Sequence, residues 1–292
     1  MEKQLPTIII CDLDGTGIGN VGQYQVSRYS LLNSIRHYGL KGPSLKETPK
    51  AYAISEKLIR PGFQECIKTL RANYPWCYIF IYTASEKRWA LQEIQWIEKS
   101  IGTPFNRPIF TRSDCIIQGN GNIRKSLKKI LPTIFKTISK QVTLTDEEKQ
   151  FIIHNKLLII DDNPVYIDGQ DHLLLCSSYN YQYCEDILDG IDESIIQNPN
   201  IQSEYKSLLK RGLVHPYALE ETVDAHSKRA KIHHWISKKC ITTYKSNQPY
   251  QHDGFWKKLR SILIKNHVPY FTPKVIKQIQ EVIYPHLERP SS

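Results

Sequence analysis

The sequence predicts an α/β fold built around a doubly wound parallel sheet, and three observations support this. Short apolar runs alternate with amphipathic stretches over residues 1–200. The runs are apolar at consecutive positions, as in strands that are buried on both faces. The composition, with 40% hydrophobic and 23% charged residues, is that of a globular protein. None of the apolar runs approaches the ~18 residues that a membrane-spanning helix needs.

Five segments are predicted as strands. The clearest is Thr7–Cys11 (TIIIC), a continuous apolar run in which β-branched residues predominate. The others are Cys77–Thr83, Lys156–Asp161 and, with weaker patterns, Pro108–Phe110 and His172–Cys176.

The stretches between these strands predict helices. Proline is tolerated in the first turn of a helix, which suits Pro61, and the residues Thr145–Glu148 match a capping box. The predicted helices are Val21–Tyr38, Pro61–Asn73, Glu86–Ser100, Ile123–Ser139 and Glu147–Asn155.

The cysteines and the N-terminus predict a cytoplasmic protein. The seven cysteines include no CxxC pair, which disfavours both a disulfide framework and a cysteine-based metal site. The first ten residues (MEKQLPTIII) lack the longer apolar core of a secretory signal.

Basic residues are concentrated towards the end of the chain. Residues 203–292 contain 16 Lys and Arg against 7 Asp and Glu, whereas residues 1–202 contain 23 against 22. The polar stretch 197–203 predicts a linker. We therefore expect a catalytic domain at residues 1–200 and a basic, mostly helical region at residues 201–292.

Two amphipathic patterns, Gly254–Val268 and Pro273–Leu287, predict helices in this basic region. Their apolar stripes favour packing together or against the first domain. Lysines and arginines interleaved with aromatic residues also suit an anionic membrane surface, which would make the protein peripheral, or, as a weaker alternative, nucleic acid. Our hypothesis is that the region localises the protein and takes no part in the chemistry.

Polar side chains follow three of the predicted strands. Asp12 and Asp14 follow the first strand, Thr83 ends the second, and Asp161 and Asp162 close the strand near residue 160. Because ligands bind at the carboxyl ends of parallel strands, we expect these groups to converge. Crowded carboxylates need a cation, and hard oxygen ligands favour Mg²⁺ beside a phosphate. The pattern predicts a magnesium site for a phosphate-bearing substrate.

The order of these motifs resembles the haloacid dehalogenase superfamily of aspartyl-phosphate phosphatases. Within it, the chain is most similar to the NLI-interacting-factor-like phosphatases, which include small phosphatases of the RNA polymerase II C-terminal domain. The resemblance covers residues 7–190, apart from an insertion near 131–155. It rests on Asp12–Thr16 (DLDGT), Arg60–Gly62, Tyr82–Ser85, Phe110–Cys115, Lys125–Leu127 and Asp161–Pro164.

The resemblance implies a role for each matching residue. Asp12 corresponds to the nucleophile, and Asp14 to the general acid and base. Lys125 corresponds to the cation that offsets negative charge during transfer. The metal-binding positions are Asp12, Asp14 (through its backbone carbonyl), Asp161 and Asp162; the substrate-binding positions are Thr16, Thr83, Ser85, Arg60 and Arg112.

Several points stay open at the level of sequence. Lys128 or Lys129 could be the catalytic lysine if the insertion shifts the alignment. Extra cap domains of this superfamily enclose small substrates, but segments 17–59 and 102–122 are too short for a large cap. An open site suits a phosphorylated protein, with phosphotyrosine and phosphoserine or phosphothreonine not distinguished. The alternatives are a nucleic-acid-end phosphatase and a catalytically weak phosphate-binding module.

Two further motifs are rejected. Gly17–Gly22 reads GxGxxG, but its first glycine lies six residues beyond the strand and aspartates occupy the place of a pyrophosphate. Cys66 and Arg71 are too close together for a cysteine-dependent phosphatase loop.

Overall fold

The computed structural model describes residues 4–19, 21–43, 59–74, 76–119, 121–179, 188, 190–210 and 253–284. Six strands occur in these residues, four in one parallel sheet and two in a small antiparallel hairpin. In chain order they are β1 (Thr7–Cys11), β2 (Cys77–Ile81), β3 (Ile116–Ile117), β4 (Ile123–Arg124), β5 (Leu157–Asp161) and β6 (Leu173–Leu175).

The parallel sheet has the strand order β2-β1-β5-β6. In its register Cys11 lies beside Ile81 of β2 and Ile160 of β5, so the carboxyl ends of the three strands meet at one edge. The α/β fold with a parallel sheet is confirmed. The predicted strand Pro108–Phe110 is reduced to a single bridge between Tyr82 and Phe110.

Nine α-helices lie in the described ranges. They are α1 (Val21–His37), α2 (Phe63–Asn73), α3 (Lys87–Ile101), α4 (Leu127–Ile138), α5 (Asp146–Asn155), α6 (Glu193–Ile196), α7 (Pro199–Lys210), α8 (Phe255–Lys265) and α9 (Pro273–Ile283), with the short 3₁₀ turns at Arg112–Asp114 and Gln170–His172 as further helical segments.

The predicted helix Ile123–Ser139 begins only at Leu127, which corrects its start. Ile123 and Arg124 instead pair with Ile116 and Ile117 as a hairpin. The side chain of Ser126 then accepts a hydrogen bond from the Lys129 N–H and caps α4.

One face of the sheet packs against α4 and α5. Alternate side chains of β1, β2 and β5 point to this face, as the two-residue period of a strand requires. They form one apolar cluster with Ile130 and Ile134 of α4 and Ile152 of α5. The segment 131–155, predicted as an insertion, thus contributes to the core through α4 and α5.

The chain divides into two compact units that do not follow the order of the sequence. The first comprises residues 1–17, 60–179 and 253–292 and contains every predicted site residue. The second comprises residues 18–59 and 180–252, and in it α1 contacts α7. No helix among the described residues has the length and apolar character needed to cross a bilayer.

The predicted linker 197–203 is instead partly helical. Pro199 begins α7, and Ile201, Tyr205 and Leu208 of that helix are buried at the spacing of one helical face. The division into domains at residues 1–200 and 201–292 stays a prediction, because residues 211–252 lie outside the described ranges.

The two C-terminal helices belong to the first unit. Trp256 and Leu259 of α8 and Ile276 and Ile279 of α9 are buried. At the edge of the sheet, the Gln280 side chain both accepts a hydrogen bond from the Leu175 N–H and donates one to its carbonyl oxygen. Residues 285–287 of the last predicted helix lie outside the described part of the chain.

Candidate active site

Three carboxylates converge at the edge of the sheet. Asp12 directly follows β1, Asp161 ends the neighbouring β5, and Asp162 comes next along the chain. One oxygen from each of these residues can be chosen so that the three atoms lie within 4.8 Å of one another. Asp12 and Asp161 are buried, whereas Asp162 is half-buried. The structure therefore brings together the acids that the sequence predicted to meet.

Lys125 lies between two of these acids. Its Nζ atom is 2.6 Å from Asp12 Oδ1 and 2.6 Å from Asp161 Oδ2, and the side chain is only 2% exposed. Burial alone would lower the pKa of Lys125, but the two carboxylates outweigh it and raise that pKa well above its usual value. The lysine therefore stays charged.

The alternative lysines do not reach the acids. Lys128 is exposed, and the Lys129 ammonium donates to the backbone carbonyls of Ser113 and Cys115. The backbone of Lys125 is fixed by hydrogen bonds to Val165 and Ile167, which aligns it with the loop after β5. Of the three lysines, Lys125 is thus the one that the fold brings to the site.

The loop after Asp12 is held against Asp162. The Thr16 hydroxyl accepts a hydrogen bond from the Asp162 N–H (2.9 Å) and lies 3.1 Å from Asp162 Oδ1, to which it can donate. Gly15 has a φ of +78°, and a Cβ atom there would lie 2.6 Å from Asp162 Oδ2. Glycine is therefore required for the turn and for the close approach of the two loops. Thr16 is buried and positions an acid rather than facing the opening of the site.

Asp14 is bound by two hydroxyl groups from the loop after β2. The Ser85 Oγ atom donates to Asp14 Oδ2 over 2.6 Å, and the Thr83 Oγ1 atom lies 3.4 Å from the same oxygen. Burial raises the pKa of Asp14, although these two hydrogen bonds oppose the rise. A carboxyl group that holds its proton more readily than usual is suited to act as a general acid.

The two predicted arginines occupy different environments. Arg112 is exposed, and its Nε atom donates to the carbonyl of Ala84, next to Ser85. Arg60 is completely buried, and its guanidinium forms an ion pair with Asp253 over 2.7 Å. Arg60 is therefore not at the mouth of the site, because all its donors face the protein interior.

The carboxylates at the sheet edge form a set of donors for a divalent cation. Burial raises the pKa of Asp12 well above its usual value; Lys125 opposes this, and the carboxylates of Asp161 and Asp162 add to it. One lysine does not balance three carboxylates. A few hard oxygen donors around a small opening are the ligands that Mg²⁺ prefers. The residues therefore fit a magnesium ion.

Several residues that contact the site were not anticipated from the sequence. Asp168 accepts hydrogen bonds from Ser126 and from the N–H groups that begin α4, which fixes the segment after Lys125. Trp256 donates its indole N–H to the Thr16 carbonyl over 2.9 Å. Asp253 pairs with Arg60. Nothing local in the sequence links these residues to the site, since the contacts span from 40 to 240 positions.

Glu93 is a further unanticipated acid near the site. It lies on the buried face of α3 with 3% exposure, and neither carboxyl oxygen makes a hydrogen bond of normal geometry. Burial raises the pKa of Glu93 to about 9, with a further contribution from the negative charge of Asp14. The helical period of α3, which buries Ala90 and Ile94, could have indicated an inward-facing acid.

The sequence comparisons identify the family. The family model described as NLI interacting factor-like phosphatase matches residues 7–193, which is well over half of the chain and contains all ten predicted site residues. The chain belongs to this family. It is thus a phosphatase of the haloacid dehalogenase type, and the resemblance seen in the motifs is confirmed. No curated protein matches the chain.

Two solved structures are similar at low identity. One is described as the structure of Fcp1, an essential RNA polymerase II CTD phosphatase; it is 18% identical, with a TM-score of 0.37, over 94% of this chain and 70% of that chain. The other is a variant of the fission yeast RNA polymerase II CTD phosphatase Fcp1 bound to beryllium fluoride. It is 15% identical, with a TM-score of 0.36, over 93% of this chain and 69% of that chain. Family membership rests on the sequence match, independently of these two structures.

Proposed function

We propose that this chain is a Mg²⁺-dependent phosphomonoester hydrolase that acts on phosphorylated protein side chains through an aspartyl-phosphate intermediate. The observation that carries the proposal is the arrangement of Asp12, Asp161 and Asp162 around the ammonium group of Lys125, with Asp14 on the neighbouring loop. The match to a phosphatase family supports the reaction class.

In the first step a carboxylate oxygen of Asp12 attacks phosphorus, and the bond from phosphorus to the leaving oxygen breaks. Asp14 donates its proton to that oxygen. In the second step water attacks phosphorus and gives a proton to Asp14, and the bond between phosphorus and Asp12 breaks to release inorganic phosphate. A carboxylate nucleophile thereby divides one difficult displacement into two easier ones.

Other side chains support these two steps. Lys125 offsets negative charge on Asp12 and on the transferred group. Asp12, Asp161, Asp162 and the Asp14 carbonyl would hold Mg²⁺, which supplies electrostatic stabilisation of the phosphoryl oxygens when bound. The Thr83 and Ser85 hydroxyls hold Asp14 and lie where they can also donate to a phosphate oxygen. Arg112 is exposed beside this loop, where it can reach a substrate.

We propose a phosphorylated protein as the substrate because of the family match, and not because of any single contact in the site. A phosphorylated protein is consistent with the family match, whereas membership provides no support for a lipid or nucleic-acid partner. A cytoplasmic location stays a prediction. A non-catalytic phosphate-binding module is disfavoured, because the nucleophile, the acid and the lysine are all present and close together.

The decisive experiment replaces Asp12 by asparagine and measures turnover of an aryl phosphate. We expect turnover to fall by roughly 1,000-fold or more, since the amide is a far weaker nucleophile. Removing divalent cations from the unmodified protein should also abolish turnover until Mg²⁺ is restored. The matched control is Asp171→Asn, which makes the same chemical change at an exposed position. Turnover that survives in folded Asp12→Asn would exclude this mechanism.

A further inference from the structure

A groove lies between α2 and α8 within the first unit. Its volume is about 720 Å³, and it is open to solvent. Gly62, at the start of α2, forms one end, where a Cβ atom would lie 2.9 Å from the Lys257 side chain. The other residues that line it include Glu65, Lys257, Arg260, Ile264 and Lys265.

The groove is predominantly positive. Three cationic side chains, Lys257, Arg260 and Lys265, line it together with a single acid, Glu65. No carboxylate among the described residues forms an ion pair with any of the three cations. Positive charges collected along a concave surface attract an anionic partner more strongly than the same charges on a flat one.

The position of the groove connects it with the active site. Helix α2 precedes the parallel strand β2 and runs back towards its start, so the beginning of α2 lies at the same sheet edge as Asp12. Arg60, two residues before Gly62, donates to the carbonyls of Gly15 and Thr16 in the loop after Asp12. The end of the groove at Gly62 and Lys257 is therefore the one next to the loop after Asp12, where a substrate segment that leaves the active site can enter it.

We propose that this groove binds an acidic or phosphorylated segment that flanks the phosphoresidue in the protein substrate. The proposal rests on the proposed protein phosphatase function, and it names the kind of sequence that the enzyme would prefer. Lys257 and Lys265 are the main anion-binding groups, and Arg260 is partly engaged because its Nε atom donates to Thr69 over 3.0 Å. Ile264 also lines the groove and offers an apolar surface to the hydrocarbon part of the bound segment.

The test compares two synthetic phosphopeptides that differ only on one side of the phosphoresidue, where one has glutamates and the other has glutamines. The measured quantity is the ratio of their kcat/KM values, with the acidic peptide in the numerator. We expect the unmodified protein to prefer the acidic peptide. The variant Lys257→Glu/Lys265→Glu should reduce the ratio by about tenfold or more, because two attractive charges become repulsive. Raising the salt concentration should reduce the ratio for the unmodified protein.

The matched control is Lys274→Glu/Lys277→Glu, which makes the same change in net charge on the exposed side of α9. The control should keep the ratio of the unmodified protein, and a similar fall in both variants would show a general charge effect and overturn the proposal. The proposal is also overturned if the groove variant keeps its ratio, or if it loses only binding to duplex DNA or to anionic vesicles.

Turnover of an aryl phosphate is measured in parallel. If that turnover is absent, or survives Asp12→Asn, the proposed function itself fails, whereas normal turnover with an unchanged ratio removes only the docking groove.

Discussion

Asp253 lies far from Asp12 and Asp14 in the sequence, yet it contacts Arg60, which donates hydrogen bonds to the loop of these two aspartates. Its carboxylate forms an ion pair with Arg60, and both side chains are almost completely buried. Arg60 in turn donates to the carbonyls of Gly15 and Thr16 over 3.2 and 3.3 Å. The charge of Asp253 therefore helps to fix the loop that carries Asp12 and Asp14.

Replacing Asp253 by asparagine keeps the shape of the side chain and removes its charge. The Arg60 guanidinium then stays buried without a neighbouring carboxylate among the described residues. Loss of one partner from a buried ion pair costs about 3 to 5 kcal/mol. Arg60 keeps its hydrogen bonds to Ser177 and to the two loop carbonyls, so we expect the lower value, about 3 kcal/mol. For 292 residues the entropy of unfolding is about 0.6 kcal/mol/K, so this loss corresponds to a fall of about 5 °C in the melting midpoint.

The assay combines thermal melting with aryl-phosphate turnover well below the melting midpoint. We expect kcat to fall by roughly tenfold, because a small displacement of the Gly15–Thr16 turn misplaces both catalytic acids. Asp146→Asn is the matched control: Asp146 pairs with Lys149 in an exposed position, and such pairs contribute little to stability. Equal melting midpoints for Asp253→Asn and Asp146→Asn would refute the reasoning, and so would unchanged kcat in a destabilised Asp253→Asn protein.

Two further substitutions test the acids around the site. Asp14→Asn should lower kcat on a substrate with a poor leaving group, such as phosphoserine, far more than it weakens vanadate binding. The substitution removes the proton donor but leaves Asp12 and Lys125 in place. Unchanged kcat would show that Asp14 is not the general acid. Glu93 has its pKa raised from 4.5 to about 9, so the folded protein binds a proton that the unfolded chain releases, and stability is lost as pH rises through this range. Glu93→Gln should therefore gain stability relative to the unmodified protein between pH 5 and pH 9 in denaturant titrations, and a difference that does not change with pH would contradict the burial of an acid at this position.

The sheet and most helices could be predicted from local patterns. Continuous apolar runs mark β1 and β5 because both faces of these strands are covered, and capping residues mark the start of α5 at Asp146. The convergence of Asp12 with Asp161 followed from parallel pairing alone. The start of α4 was not predictable in this way, because Ile123 and Arg124 continue its amphipathic pattern but are paired in a hairpin with Ile116 and Ile117.

The residues that hold the site in position could not be predicted, because their roles depend on contacts between distant parts of the chain. The sequence indicated Arg60 as a substrate-binding residue, yet its partner Asp253 lies 193 positions away and keeps it inside the protein. Trp256 belongs to an amphipathic stripe that is typical of any packed helix, and only the fold shows that its indole reaches the Thr16 carbonyl. Local periodicity shows that such a residue is buried, but it does not show what the residue contacts.

Helix α8 contacts the loop after Asp12 on one side and lines the basic groove on the other. Its period places Trp256, Leu259 and Leu263 towards the interior, whereas Lys257 and Lys265 line the groove. Changes on the buried side alter the loop that carries Asp12, so they affect the hydrolysis of every substrate. If the groove binds the flanking segment as proposed, changes on the groove side alter only the attraction for residues that flank the phosphate, and they affect one substrate relative to another. Kinetics on paired substrates can thus separate the two roles of a single helix.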